Sequence, residues 1–181
     1  MLSRVILALM TFSVVGEELT QDALTDQLSP IEAFSGTFQQ TRIIAVLPKP
    51  LTSSGKFEYR RKTGLDWKIE TPIRKSYHFG AGQSADTMPG QYQAIAAMFS
   101  ALFSGDFSQL EHHFETQLSG ELADWQVTLV PKAEQLQRYL TSIVLSGDTL
   151  VNKIAVFEVS GDGLLIELYI EKIVTSSAEA R

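Results

Sequence analysis

The chain contains no cysteine. Disulfides, thiolate metal sites and cysteine nucleophiles are therefore excluded, and the fold must hold by burial and backbone pairing. The lipid anchor of a bacterial lipoprotein, which is attached to a cysteine directly after the leader, has no place to attach either. Histidine is nearly absent: there are His78, His112 and His113 and no others. His112 and His113 are adjacent, so they face opposite ways on a strand and diverge by about 100° on a helix. No metal-ligand spacing exists, and no metal or cofactor is expected. Cations are few, with 15 Lys and Arg against 21 Asp and Glu, a net charge of −6. That balance argues against a nucleic-acid footprint, which needs clustered cations, and does not favour docking on anionic lipid surfaces. Long hydrophobic runs are lacking as well. The one near the N-terminus, Val5 to Val15, is far short of the roughly 20 residues that a membrane-spanning helix requires.

That short run reads instead as an address. Arg4 precedes it, Val14-Val15-Gly16 offers compact residues for cleavage, and Glu17-Glu18 follows at once. Residues 1–16 are expected to be a secretory leader, which would place the remainder free in the periplasm. The alternative is an N-terminal core strand or helix, which Arg4 and the acidic flank fit less well. Chemistry-bearing constellations are missing too. Gly80-Ala81-Gly82 and Gly161–Gly163 do not open a helix after a strand as phosphate loops do. Ser76, His78 and Asp86 can be assembled on paper, but no nucleophile elbow surrounds any serine. The sequence is not expected to be an enzyme.

What is present is an ordinary globular composition, 44% apolar and 20% charged over 181 residues. This is enough for one domain, 17–181, with a real core. Leu24 and Leu28, four apart, predict a short amphipathic helix over Leu19–Leu28. Ser29-Pro30-Ile31-Glu32 has the form of a capping box and predicts a second helix that ends at Gly36. From Gly36 the period becomes two. Strands are predicted over Gly36–Leu47, Gly55–Lys62 and the segment from Leu65 to about Glu70. Phe57, Tyr59 and Arg61 fall on one face of the second, and Leu65, Trp67 and Ile69 on one face of the third. Residues 80–90 read as a loop. Gln91–Phe103 predicts an uncharged helix with Phe99, Leu102 and Phe103 on its apolar stripe, as a lid or as plain core. Further strands are predicted at Trp125–Val130, Thr141–Ser146, Leu150–Ser160 and Leu164–Val174. The order predicts an α+β fold, an antiparallel sheet wet on one side with short helices on the other.

Arg61 stands out because it shares the apolar face of Phe57 and Tyr59. An arginine there is costly unless its donors are satisfied. Either it sits at the strand end and reaches water, or it bonds backbone carbonyls of a covering segment as a reversible latch.

An ordered set of residues carries a resemblance. It runs from Phe34-x-x-x-Phe38-x-Gln40-Thr41 through Ser54-Gly55-x-Phe57-x-Tyr59-Arg60-Arg61 to Leu65-Asp66-Trp67-x-x-x-Thr71-Pro72, with a looser echo at Leu129-Val130-Pro131-Lys132. In these stretches the chain resembles the LolA family, periplasmic carriers of lipoproteins to the outer membrane. The resemblance implies an incomplete, strongly curved antiparallel β half-barrel, with short helices covering an apolar concave face that takes acyl chains. It implies a wall of Phe38, Phe57, Tyr59, Leu65, Trp67 and Ile69, with Phe99, Leu102 and Phe103 as lid candidates. It also implies that Arg61, six residues before Trp67, is the latch. The implied partners are an acylated cargo (lipoprotein or lipid), inner-membrane export machinery and an outer-membrane acceptor, with the carrier itself a monomer. Two departures mark a divergent branch. Lys62 stands where the family usually has proline, and the segment after Tyr77 is short and rich in Gly and Ser. A glycolipid cargo, or an envelope module that senses acyl chains, therefore stays open beside the lipoprotein carrier.

Overall fold

The computed structural model describes residues 19–80 and 108–176. The predicted leader and the predicted Gln91–Phe103 helix lie outside these residues.

The first element, α1 (Gln21–Leu28), is capped by Thr20, whose hydroxyl accepts the Ala23 N–H at 3.2 Å. Leu24 and Leu28 are fully buried on its inner stripe. The capping box that predicts a second helix does not form one. Ser29 instead closes α1, donating its N–H to the Thr25 carbonyl at 2.8 Å, and β1 (Ile31–Ile43) begins two residues later. Pro30 is tolerated there because the start of a strand, like the start of a helix, can lack an N–H. The misleading signal is the capping-box pattern itself, and the buried Ile31 and Phe34 behind it also stand three apart, off the strand period. A register shift between Ile31 and Ala33 produces that spacing.

Eight more strands follow: β2 (Leu51–Arg60), β3 (Gly64–Thr71), β4 (Lys75–Phe79), β5 (Phe114–Glu121), β6 (Asp124–Pro131), β7 (Leu140–Gly147), β8 (Val151–Glu158) and β9 (Gly163–Thr175). Two small helices, α2 (Ser108–His113) and α3 (Glu134–Gln137), flank β5 and β6. All nine strands form one antiparallel sheet in the order β4-β3-β2-β1-β9-β8-β7-β6-β5. It is two meanders, β1–β4 and β5–β9, zipped together by the long β1–β9 pair. Since β4 and β5 both end the order, the sheet does not close into a barrel. The seven predicted strands fit with shifted ends, while β4, β5, α2 and α3 are additions.

Alternation puts apolar residues on one face throughout. Phe34 and Phe38 of β1, Trp67 of β3, Trp125 and Leu129 of β6, Ile143 and Leu145 of β7, Ile154 of β8, and Ile166 and Leu168 of β9 all belong to one buried cluster. Two glycines let the sheet bend around that cluster. Gly36 and Gly55 both sit at register shifts, and a Cβ on either would fall on a neighbouring strand's carbonyl oxygen, that of Tyr169 or Lys68. The backbones there approach more closely than any side chain allows, which is how bulges curve a sheet.

Strand ends and turns divide the molecule into two ends. At one lie α1 and the β2–β3, β5–β6 and β7–β8 turns. The Gln27 amide donates to the Asp148 carbonyl at 2.6 Å, and the Trp125 indole N–H donates to the same oxygen at 2.6 Å. These bonds fasten α1 across that end of the concave face. At the other end lie the connections 44–50, 72–74, 132–139 and 159–162.

Candidate functional site

The pairing of β1, β2 and β3 builds an aromatic wall. Phe34 lies opposite Tyr59, Gly36 opposite Phe57, and Phe38 opposite Gly55; across the next seam Phe57 faces Trp67 and Tyr59 faces Leu65. Each glycine leaves room for the ring beside it. Phe38 stacks on Trp67 with ring centroids 3.8 Å apart and planes at 23°, and Phe57 lies 5.9 Å from the same indole. Phe34 meets Phe57 edge-on at 5.9 Å and Tyr59 at 5.2 Å. These are attractive geometries, each adding about 1 kcal/mol to simple burial.

Of the residues picked from the sequence, Phe38, Phe57, Tyr59, Leu65 and Trp67 are brought together on this wall, at most 6% exposed. Ile69 is half-buried at its margin. Phe99, Leu102 and Phe103 lie outside the described residues. The sequence reading misses Phe34, because the capping-box signal places it inside a helix. It also misses Tyr77 and Phe79 of β4, which stack 6.3 Å apart and pair with Trp67 and Leu65.

Arg61 follows β2 directly. Its backbone N–H donates to the Glu32 carbonyl at 2.9 Å. Its guanidinium turns to the α1–β1 junction. Nη2 donates to the carbonyls of Ser29 and Ile31, both at 2.7 Å, and Nε donates to Ile31 at 3.2 Å. Nη2 also reaches the Leu28 carbonyl at 3.5 Å, and the Glu32 carboxylate lies 3.6 Å from Nε. A cation thus sits on the last carbonyls of α1, where the helix dipole is negative. The Arg61 side chain is 28% exposed. Beside it, burial raises the pKa of the Tyr59 phenol above its ordinary value of 10.0; the Arg61 charge partly opposes this and Glu32 adds to it.

The histidines are dispersed. His78 on β4 pairs with Asp66 on the exposed outer face at 2.9 Å, while His112 and His113 end α2. Among the described residues no three His, Cys, Asp or Glu side chains converge as metal ligands would. What the wall can do chemically is bury apolar matter.

A family model described as outer membrane lipoprotein carrier protein LolA-like matches residues 15–162. The chain belongs to this family. No curated protein matches it in sequence. Solved structures similar to it include a LolA superfamily protein from Nitrosomonas europaea, at 8% identity and TM-score 0.39, covering 87% of this chain and 94% of that one. A domain from Vibrio parahaemolyticus assigned to outer membrane lipoprotein sorting is 6% identical, with TM-score 0.41 and coverage of 88% and 92%. A DUF1329 family protein from Desulfovibrio piger is 11% identical, with TM-score 0.33 and coverage of 88% and 93%. The LolA-like family is one of carriers that work free in the periplasm. Among the described residues, no helix is long and apolar enough to cross a membrane.

Proposed function

We propose that this LolA-like protein is a periplasmic carrier whose concave wall shields the acyl chains of a lipoprotein or lipid between the inner and outer membranes. On this reading it takes cargo from inner-membrane export machinery, hands it to an outer-membrane acceptor, works as a monomer and catalyses no reaction. The observation that carries the reading is the aromatic wall of β1–β3, built on an open curved sheet and ending at an arginine that grips a covering helix. A wall of rings and aliphatic carbons has no directional demand, so it suits chains of variable length and saturation. Its side chains are 1–6% exposed in this structure, so chains reach them only when the cover moves. Arg61 is the residue proposed to govern that movement, because hydrogen bonds to three backbone carbonyls can be exchanged for water without loss of fold.

The test is native mass spectrometry of the protein, as purified and after incubation with triacylated peptide or with glycolipid. A stoichiometric acylated ligand, whose mass names the cargo, is expected. Protein that stays empty with every acylated ligand offered would make the wall an ordinary core. Arg61→Leu should keep the fold and take up acyl chains, but should change their release to an acceptor; unaltered uptake and transfer would remove Arg61 from the mechanism.

A further inference from the structure

Exposed hydrophobic side chains are not spread evenly over the fold. Twelve large ones are at least 42% exposed among the described residues, and eight of them lie at the end of the sheet opposite α1. Val46 (88% exposed) and Leu47 occupy the β1–β2 connection, Ile73 the β3–β4 turn, Tyr139 the α3–β7 junction and Val159 the β8–β9 turn. Ile43, Leu51 and Phe157 are on the strand ends behind them. Only Ile173 and Val174 are similarly exposed near the α1 end.

The tips are joined to one another. The Ala45 N–H donates to the Asp162 carboxylate at 2.9 Å, and the Val159 N–H to the Tyr139 carbonyl at 3.0 Å. Three connections thereby form one continuous apolar rim. Burial cannot account for side chains that face water, and turns of this kind are ordinarily polar.

Charge selects the occupant. In a chain of net charge −6, the four connections at this end and α2 beside them hold Lys49, Arg74, Lys132 and Arg138 against Glu111, Glu134 and Asp162. The Asp162 carboxylate is already engaged by Ala45, and the nearby Glu158 carboxylate is paired with Arg42 at 2.9 Å. The exposed apolar end is thus locally cationic. Net charge, which argues against lipid surfaces, contains no information about this polarity. Aliphatic and aromatic tips among cations match a bilayer interface of anionic lipid, where side chains insert to headgroup depth and Lys and Arg meet the surface potential.

We propose that this end of the sheet docks on an anionic bilayer surface, inserting Val46, Leu47 and Val159, with Lys49 and Arg138 on the headgroups. The inference uses the tips alone and stands apart from the cargo reading, which concerns the concave wall. Because the chain has no cysteine, a single one can be introduced for site-specific labelling. Full-length Val46→Cys and, as a control at the other end, Thr63→Cys would each carry a nitrobenzoxadiazole label. They would be mixed with vesicles of phosphatidylethanolamine and phosphatidylglycerol containing a lipid-borne quencher. The label at 46 is expected to shift to the blue and be quenched, that at 63 to stay unchanged, and the response to weaken as salt is raised. Adding Lys49→Glu and Arg138→Glu should weaken the response about tenfold or more. Equal responses at both positions would overturn the proposal, as would equal responses on phosphatidylcholine vesicles. So would a label at 46 that ignores vesicles yet responds to an envelope protein.

Discussion

Replacing Arg61 with leucine removes the guanidinium that bonds the carbonyls of Ser29 and Ile31, with little change in volume. The magnitude follows from the geometry. Hydrogen bonds to a charged donor are worth about 1.5–3 kcal/mol net when buried. This side chain is 28% exposed, and the freed carbonyls can hydrate, so about 1 kcal/mol for each carbonyl is the better figure. Loss of a cation at the C-terminus of α1 adds about 0.5 kcal/mol. The Glu32 contact at 3.6 Å, on a half-exposed carboxylate, adds a few tenths of a kcal/mol. The sum is about 2–3 kcal/mol, or about 30- to 150-fold in the local opening of α1. Native-state hydrogen exchange measures this directly. The Leu24 and Ser29 amides, bonded to the Thr20 and Thr25 carbonyls, should exchange faster by that factor, and those of β7 and β8 much less. Arg61→Lys keeps the charge without the planar fork and should fall between. If cargo occupies only the opened form, easier opening raises apparent affinity by up to the same factor and makes transfer to an acceptor less favourable. Equal acceleration in α1 and in β7–β8 would refute the reasoning, since Arg61 would then support the whole fold rather than hold one element. Unchanged exchange in α1 would refute it from the other side.

Three further outcomes are expected. Gly55→Val places carbon on the Lys68 carbonyl oxygen and should cost at least about 2 kcal/mol, read as a lower urea midpoint. Trp67→Ala removes the ring stacked on Phe38 and beside Phe57 and should cost about 3–5 kcal/mol in the same assay. Because the folded state raises the Tyr59 pKa, it holds the phenolic proton more tightly than the unfolded chain does. This contribution to stability is full below pH 10.0 and is lost as pH rises through the folded value. Tyr59→Phe should flatten that alkaline loss and remove a late step from the phenolate absorbance titration.

Alternation was the most legible signal in the sequence. Phe57, Tyr59, Leu65 and Trp67 stand two apart in two runs joined by a tight turn, and both face and pairing follow from that. The start of β1 was not legible, because Ser29-Pro30 precedes helices and strands alike and its register shift takes Ile31 and Phe34 off the strand period. The edge strands escaped for another reason. β4 begins with Lys75, and β5 carries Glu115 and Glu121 with only Phe114 and Leu118 as large apolar residues. Edges carry charge because an apolar edge would recruit other chains, so their periodic signal is weak. For Arg61, the anomaly of a cation on an apolar face was legible and its acceptors were not. Those are carbonyl oxygens of Leu28, Ser29 and Ile31, and backbone groups have no letter in a sequence.

The proposed carrier role sets a physical condition that the arrangement of α1 meets. Each acyl methylene exposed to water costs about 0.8 kcal/mol, so an anchor of three chains costs on the order of 30 kcal/mol. The wall must then be dry without cargo, or the empty protein would aggregate, and yet open to cargo without unfolding. A cover held only by deep apolar packing would compete with the chains in kind, and each step toward opening would expose more surface. A cover held partly by polar bonds behaves differently. Once Arg61 exchanges the Ser29 and Ile31 carbonyls for water, the remaining hold on α1 among the described residues is chiefly Leu24, Leu28 and the Gln27 bonds to Asp148 and Leu122. Two leucines contribute about 3–6 kcal/mol by burial, a fraction of what the cargo supplies. On the proposed reading, the aromatic wall provides the capacity for acyl chains, and the junction at Arg61 decides when that capacity is open.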